Sequence, residues 1–393
     1  MAQVCPGASL HHKKVAMEQV KVIPVEQPWQ MKAFVDLPWK IYARDPLWVP
    51  PLKKEVARLL DPQAHPFWKF AQRRLFLAQR GSEMVGRIVA IVDQNYNRFH
   101  DERMGIWGFF ECLDDPEAAA ALFTAAEEWV KAQGMNFFRG PLNPSTNYEG
   151  GMLVEGFEQP PVFMMTYNPP YYPGLVESQG FRKEKDLLAF WVGRNWQPPA
   201  WVHRLARRII SKTDIKMRPM RLEDFHRELK YVKEIYHEAW FDNLGFVPMT
   251  DAELEEMGRH LARILNPDVC FFLLDGEEPV GVGMVIDDIN PLLKRFNGKI
   301  CVLGWLKFLL YRKEIVGWRG LIFGIRRKYQ QQGLPLVAFD YLYKMLMENE
   351  KYKRYKYIEL GWNLEDNDLI NQWYLDGGAK VNKRFRVYRK DLV

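Results

Sequence analysis

The chain has 393 residues, of which 48% are hydrophobic, 26% charged and 14% aromatic, and its net charge is +6. This composition excludes a disordered chain, and the length predicts two or three domains. The positive charge favours an anionic ligand or an anionic membrane surface. Because there is no zinc-finger or RNA-binding signature, we expect no nucleic-acid partner. The four cysteines are widely spaced and form no CxxC pair, so we expect neither a disulfide framework nor a metal site.

The hydropathy of the sequence favours a cytoplasmic location over a membrane-spanning or secreted one. The N-terminal residues contain no apolar signal core, and the longest apolar run, around residues 301–310, is interrupted by Lys307. A membrane-spanning helix needs about 20 predominantly apolar residues. We therefore expect a cytoplasmic protein, with peripheral contact at the inner membrane face as a further alternative.

The first half of the chain alternates strand and helix signals after a tail at residues 1–16, which we expect to be flexible. Two apolar runs joined by Gly-Ser-Glu-Met predict a hairpin. The sequence Asp114-Asp115-Pro116-Glu117 predicts a helix start, because Asp caps helices and Pro suits the first turn. A Gly-, Pro- and Asn-rich segment at residues 143–173 is too long for a plain connection, which favours a functional loop.

The second half repeats the element order of the first. Each half is predicted as strand, helix, three strands, helix, strand, helix and strand. This repeat predicts an α/β fold with a mixed (α+β) sheet, built from two tandem copies of one domain. We predict an N-terminal domain at residues 17–195, a linker helix at 196–212 and a C-terminal domain at 213–393.

The stretch KYQQQGLPLVAF, at residues 328–339, joins a predicted strand to a predicted helix. Free backbone N–H groups at a helix N-terminus favour an anion such as phosphate. Gly333 permits close approach of a ligand, and Arg327 just upstream adds positive charge. Pro335 suits the first helical turn but removes one N–H donor. For this stretch alone, an ordinary strand–helix turn is the alternative.

A second motif lies in GWNLEDNDLINQWYLDGGA, at residues 361–379. Asn367 precedes Tyr374 by seven residues, and Tyr374 precedes Gly378 by four. With the loop, the pattern is Q-x-x-G, a helix, a strand and N-x6-Y-x3-G, which resembles the GNAT (Gcn5-related) acyl-CoA N-acyltransferase superfamily. The resemblance implies coenzyme A or acyl-CoA as co-substrate, Asn367 along the pantetheine arm and Tyr374 as the acid for the departing thiolate. It also implies a pyrophosphate cradle at Gln330, Gln331, Gln332, Gly333 and Leu334, with Arg327 beside it.

The first half lacks these motifs. Asp114 and Asp115 stand where the phosphate loop belongs, and two adjacent carboxylates there would repel a pyrophosphate. Val176 stands at the position of the tyrosine. We therefore expect the first half to be a degenerate GNAT-like copy that shapes the acceptor or acyl site.

The general base is less clear from the sequence. Asp287 ends a hairpin strand and Glu238 lies on a helix that edges the acceptor side in this superfamily, so both are candidates. A solvated carboxylate is the alternative for each. Glu359, on the strand before the tyrosine motif, is a further candidate, for which an ion pair with a neighbouring Lys or Arg is the alternative. A chain of water molecules could also serve as the base.

An insert at residues 291–314 interleaves apolar and basic side chains. Such a segment can lie in a membrane interface, wall a lipid tunnel or pack into the core. Three stretches, GFFECLDDPEAAAALF, RGPLNPSTN and GWNLEDN with Tyr374, resemble a bacterial group of long, tandem GNAT-like proteins that includes ceramide synthases.

The second resemblance implies transfer of an acyl group, long-chain in some members, from coenzyme A to an amine of the sphingoid type. An acetyltransferase acting on a small amine or a peptide is the alternative enzyme. A module that binds acyl-CoA or lipid without catalysis is the alternative of another class.

Overall fold

The structure is a computed structural model that describes residues 18–243, 245–262, 264–300 and 304–392. The predicted tail at residues 1–16 lies outside the described residues, as does part of the insert, residues 301–303. Among the described residues, no helix combines the length and the apolar character needed to cross a bilayer.

Within the described residues, thirteen strands form one mixed sheet and two further strands form a separate ribbon. In chain order the strands are β1 (Val20–Pro24), β2 (Ala71–Arg80), β3 (Glu83–Asp93), β4 (Met104–Cys112), β5 (Phe137–Gly140), β6 (Leu142–Asn143), β7 (Glu149–Gly150), β8 (Met152–Glu155), β9 (Arg182–Gly193), β10 (Ile215–Pro219), β11 (Phe271–Asp275), β12 (Glu278–Asp287), β13 (Gly317–Ile325), β14 (Tyr357–Leu364) and β15 (Lys380–Asp391).

Helices cover the sheet and carry the segments between its strands. In chain order they are α1 (Pro28–Ile41), α2 (Lys53–Leu59), α3 (Gln94–His100), α4 (Pro116–Ala132), α5 (Tyr172–Glu177), α6 (Ala200–Lys212), α7 (Phe225–Trp240), α8 (Asp251–Leu261), α9 (Asn290–Phe296), α10 (Gly304–Tyr311), α11 (Leu334–Tyr343) and α12 (Asp368–Asp376).

The predicted strands and helices follow one another in the predicted order in both halves, with further elements between them: α2, α3 and β6–β8 in the first half, and α8, α9 and α10 in the second. β2 and β3 form the first predicted hairpin, and α4 begins after Asp115, whose side chain accepts a hydrogen bond from the Ala118 backbone N–H at 3.1 Å. The predicted linker helix coincides with α6. The side chains of His203 on α6 and Asp340 on α11 form a hydrogen bond, which ties the two helices together.

Twelve strands of the sheet follow the order β1-β2-β3-β4-β5-β15-β9-β14-β13-β12-β11-β10, and the thirteenth, β8, pairs with β15. The last strand of each half therefore lies on the other half's side. β15 pairs with β5, and β9 pairs with β14. This exchange joins the halves through continuous backbone hydrogen bonds. The domain boundary at residues 195–213 stays a prediction, and the two exchanged strands cross it.

In each half, two neighbouring parallel strands pair briefly and then separate. β4 pairs with β5 only at residues 104–106 and 137–139, and β13 pairs with β14 only at residues 317–320 and 357–360. In the first half the next residue, Trp107, is fully buried, and it lies directly against Gly140. Trp107 packs against Phe110, Phe123 and Phe181. The first gap is thus filled by aromatic core, whereas the second opens into a cavity.

Candidate active site

A cavity of about 870 Å³, here called the cleft, begins where β13 and β14 separate. Residues 320–325 of β13 and 360–364 of β14 form two of its walls. It is also lined by the predicted site residues Arg327, Gln330, Asn367 and Tyr374. The structure therefore brings together, around one opening, residues that are up to 47 positions apart in the sequence.

The glycine loop forms the rim of the cleft at the start of α11. Gly333 precedes the helix with a φ of +73°, a left-handed conformation that favours glycine. Within the described part of the chain, the backbone N–H groups of Gln331, Gly333 and Leu334 have no protein acceptor. Pro335 stands in the first turn of α11, as predicted. Free donors at a helix N-terminus can bind an anionic group.

The glutamine side chains differ in their surroundings. The Gln330 amide donates to the Ile325 backbone oxygen at 3.2 Å, which fastens the loop to the end of β13. Gln331 and Gln332 are exposed, and Leu334 is buried. The cradle therefore offers backbone donors, with glutamine side chains along its edge.

Glu238 does not line the cleft. Its carboxylate accepts a hydrogen bond from Arg326 at 3.1 Å and one from the Arg327 backbone N–H at 2.9 Å. Arg326 also contacts Glu234 at 3.3 Å. Glu238 thus holds the loop that follows β13, and its two oxygens are already engaged by donors. Arg327 itself lines the cleft and forms an ion pair with Asp242 at the rim.

Tyr374 lies on α12, half-buried between two aromatic rings. Its ring centroid is 5.2 Å from that of Phe190 and 5.8 Å from that of Phe339. Burial raises the pKa of the Tyr374 phenol to about 12, and the Asn363 side chain opposes this shift in part. Tyr374 therefore keeps its proton at neutral pH and faces the cleft as a proton donor. Asn367 stands at the N-terminus of the same helix.

Asp287 and Glu359 do not line the cleft. One Asp287 oxygen accepts hydrogen bonds from the Tyr355 hydroxyl at 2.7 Å and the Trp318 indole at 3.1 Å. Burial raises the pKa of Asp287. Glu359 is fully buried and pairs with Lys383 at 2.6 Å, which is the ion-pair alternative considered from the sequence.

The corresponding helix start in the first half is already occupied. The Asp115 carboxylate caps α4 and forms an ion pair with Arg80 at 2.9 Å. Val176, at the position of the tyrosine, is fully buried in the core. A carboxylate that fills the helix N-terminus leaves no positive site for a phosphate, which supports the prediction that this half is degenerate.

A second cavity of about 250 Å³, here called the inner chamber, adjoins the cleft. Trp240, Leu321 and Trp362 line both cavities. Tyr148 and Met164, from the Gly- and Pro-rich loop of the first half, line the chamber as well. The sequence predicts that the first half shapes the acceptor or acyl site, but it does not predict which residues form this chamber, because its walls come from both halves. The loop's unusual length and composition were the signal for its contribution.

The described part of the insert presents an apolar surface. Leu306, Phe308, Leu309 and Leu310 on α10 are 41–63% exposed. Lys307 interrupts this face, and Arg312 and Lys313 follow it. These four side chains are not packed into the core, which leaves a membrane interface and the wall of a lipid tunnel as the alternatives for this segment.

Among the described residues, no group of three or more His, Cys, Asp and Glu side chains is arranged to hold a metal ion. The cleft presents the phenol of Tyr374, the side-chain amide of Asn367 and a loop of free backbone N–H groups. This set can bind an anionic ligand at one end and donate a proton near the other.

Comparison with known proteins gives two related sequences and a similar structure. No protein-family model matches the chain. It is 32% identical to the bacterial ceramide synthase of Caulobacter vibrioides over 377 residues, which are 95% of this chain and 98% of that protein. It is also 32% identical to protein YghO of Escherichia coli over 371 residues, 92% of this chain and 93% of that protein.

A tandem GNAT protein from the clavulanic acid biosynthesis pathway has a similar structure. The TM-score is 0.54 at 10% sequence identity, and the match covers 95% of this chain and 98% of that one. The predicted fold class, a mixed sheet with two tandem GNAT-like halves, is thereby confirmed.

Proposed function

Because this chain belongs to the same family as the bacterial ceramide synthase and is an N-acyltransferase with the GNAT fold, we propose that it transfers a long-chain acyl group from coenzyme A to a lipidic amine. The observation that carries this proposal is the cleft at the separation of β13 and β14. One end of the cleft offers free backbone donors at Gly333, and its wall carries the protonated Tyr374. The relative's name and the largely apolar inner chamber support an acceptor of the sphingoid type.

The loop suits the anionic end of acyl-CoA. The N–H groups of Gln331, Gly333 and Leu334 would bind pyrophosphate oxygens, and Arg327 would add charge at the rim. Asn367 would lie along the pantetheine arm. Acyl-CoA supplies the reactive thioester. The amine would form the new C–N bond as the C–S bond breaks, and Tyr374 would give its proton to the leaving sulfur. The proton that the amine nitrogen loses would pass to water, and Tyr374 would regain a proton from water.

The inner chamber favours a lipidic substrate over a small polar one. Met164, Leu321 and Trp362 are among its walls, and flexible or aromatic side chains suit hydrocarbon chains. Assays with palmitoyl-CoA and acetyl-CoA, each against a long-chain amine and a short one, test the proposal. Faster thiol release with the two long-chain substrates is expected. Equal or faster release with acetyl-CoA and the short amine would favour the small-substrate acetyltransferase, and binding without turnover would favour the non-catalytic module.

The loop conformation gives a binding prediction. Gly333→Val forces a branched side chain into the left-handed region, where strain is about 1–3 kcal/mol, so the loop should shift and lose its N–H alignment. We expect coenzyme A to bind about tenfold more weakly or worse, as measured by isothermal titration calorimetry. Gly134→Val is the matched control, because Gly134 also has a positive φ, of +83°, but lies at the end of α4. Equal coenzyme A affinity in the two variants would contradict the cradle assignment.

We also propose that the exposed face of α10 contacts an anionic membrane surface. Its leucines would enter the headgroup region while Lys307, Arg312 and Lys313 meet anionic lipids. The double variant Leu306→Asp/Leu310→Asp should bind vesicles containing phosphatidylglycerol at least about tenfold more weakly in flotation assays. Val381→Asp, an exposed apolar residue outside the insert, is the control. Unchanged flotation of the double variant would remove this surface from consideration.

A further inference from the structure

Arg319, on β13, is a buried cation without an ion-pair partner in the described part of the chain. The residue is 2% exposed and lines the inner chamber. Its guanidinium contacts the Met165 sulfur and lies 5.2 Å from the centre of a Trp362 ring. Its Nε is buried and has no hydrogen-bond acceptor. A charged group in this setting lacks the partners that buried charges normally have.

The acidic groups that act on Arg319 are engaged elsewhere or stay at a distance. Glu359 pairs with Lys383 through Oε2, and its buried Oε1 makes no hydrogen bond with Arg319 or any other described group. Asp288 accepts hydrogen bonds from the Tyr357 hydroxyl and two backbone N–H groups. Glu149 makes no hydrogen bond with Arg319, and burial raises the pKa of Glu149. Burial also lowers the pKa of Arg319 to about 10. The guanidinium is therefore charged at neutral pH and has unused donor capacity.

The position of Arg319 in the sheet indicates which ligand its unused hydrogen-bond donors could bind. Arg319 faces Glu359 in the register, and the next pair, Gly320 with Leu360, is the last before the strands separate. The residue thus stands at the junction of the cleft and the inner chamber. Under the proposed function, this is where the amine meets the thioester carbon. A group bound by Arg319 would lie close to the reacting nitrogen.

We propose that Arg319 binds an oxygen atom carried by the acceptor on a carbon close to its amine, and so makes the enzyme prefer oxygen-bearing amines over plain alkylamines. This inference rests on the proposed function, since it assumes that the acceptor occupies the inner chamber. Arg319 acts as a specificity-determining residue. Hydrogen bonds to charged groups are stronger than those between neutral groups, so the preference should be about tenfold or more.

The test compares two amines of equal chain length, a 1-alkylamine and a 2-amino-1-alkanol, in the full-length wild type and Arg319→Met. In the wild type, kcat/KM should be about tenfold higher for the amino alcohol than for the alkylamine, mainly because KM is lower for the amino alcohol. In Arg319→Met, the ratio of the two kcat/KM values should fall to about one. A ratio near one in the wild type, or the same ratio in both proteins, would overturn the proposal. A change confined to the KM for acyl-CoA would also overturn it, because the oxygen would then belong to the thioester.

Thermal shift with the same two amines tests binding without turnover. The amino alcohol should stabilise the wild type more than the alkylamine does, and Arg319→Met should remove this difference. If neither amine is acylated but the binding difference is present, the proposed function fails while the role of Arg319 stands. If both amines are acylated at equal efficiency and stabilise equally, the role of Arg319 fails while the proposed function stands.

Stability of the ligand-free protein separates this role from a structural one. Methionine fills similar space and removes an unpaired charge, so Arg319→Met should have a Tm equal to or above that of the wild type. Arg326→Met is the matched control, because Arg326 is paired with Glu234 and Glu238, and its loss should lower the Tm. A drop in Tm for Arg319→Met as large as that for Arg326→Met would show that Arg319 supports the fold, and would overturn the proposal.

Discussion

Replacement of Tyr374 with Phe is expected to lower kcat by about 10²–10⁴-fold, the usual contribution of a general acid. The KM for acyl-CoA should change little, because the variant keeps the ring that packs between Phe190 and Phe339. In the proposed role of Tyr374, the variant loses the proton that would pass to the leaving sulfur. Since the pKa of Tyr374 is about 12, the wild-type phenol stays protonated, and the rate ratio should be constant from about pH 7 to about pH 9.

The measurement is initial-rate thiol release at saturating acyl-CoA and amine. Tyr343→Phe is the matched control, because Tyr343 lies on α11, packs against Trp196 and His203, and is not among the residues lining the cleft. Its kcat should stay within about a factor of two of the wild type, since surface or packing changes without lost partners are small. A Tyr374→Phe variant that retains wild-type kcat would exclude the phenol as the acid.

Much of the fold follows from local signals. The hairpin of β2 and β3 and the capped start of α4 depend on residues adjacent in sequence, so their patterns were visible without the structure. The exchange of β9 and β15 was not visible. Both are antiparallel strands that could pair with either half, and the choice depends on contacts between distant residues. One such contact is the ion pair of Asp186 with Arg386, 200 positions apart, at 2.8 Å.

In the candidate site, too, some residues could be predicted from local sequence and others depend on distant contacts. Asn367 is the N-cap residue of α12 and Tyr374 lies on the same helix, at a fixed spacing. The loop precedes them by one helix and one strand, so the motif could be found in the sequence. Glu238 and Asp287 were less predictable. Their partners, Arg326 and Tyr355, lie 88 and 68 positions away. These carboxylates have no partner nearby in the sequence, but in the folded chain both accept hydrogen bonds from distant residues.

A second large effect is expected in stability from the buried pair of Glu359 and Lys383. Both side chains are at most 1% exposed, and their charged atoms are 2.6 Å apart. Lys383→Met leaves Glu359 buried without its cation, with only the Asn382 amide still bonded to it at 2.9 Å. Breaking a buried pair from one side costs about 3–5 kcal/mol. We expect the free energy of unfolding to fall by that amount in urea denaturation.

Two further variants test whether the lower free energy of unfolding comes from the unpaired buried charge. Lys183→Met removes a partly exposed cation that pairs with Glu365 and Asp186. Because the buried Asp186 keeps its pair with Arg386, this variant should cost only about 0–1 kcal/mol. The double variant Lys383→Met/Glu359→Gln removes both charges and should recover much of the stability, because no buried charge is left unpaired. If Lys383→Met costs no more than Lys183→Met, the buried pair does not hold the sheet together.

The location of the pair predicts which part of the fold opens first. Lys383 lies on the exchanged strand β15, and Glu359 lies on β14, the strand that forms one wall of the cleft. The strand between them, β9, belongs to the first half and pairs with both. Loss of the pair should therefore accelerate hydrogen exchange at the amides of β15 and β9 before it affects β2 and β3. Because β14 also carries the cleft wall, coenzyme A should slow this exchange in the wild type, and in Lys383→Met only at higher ligand concentration.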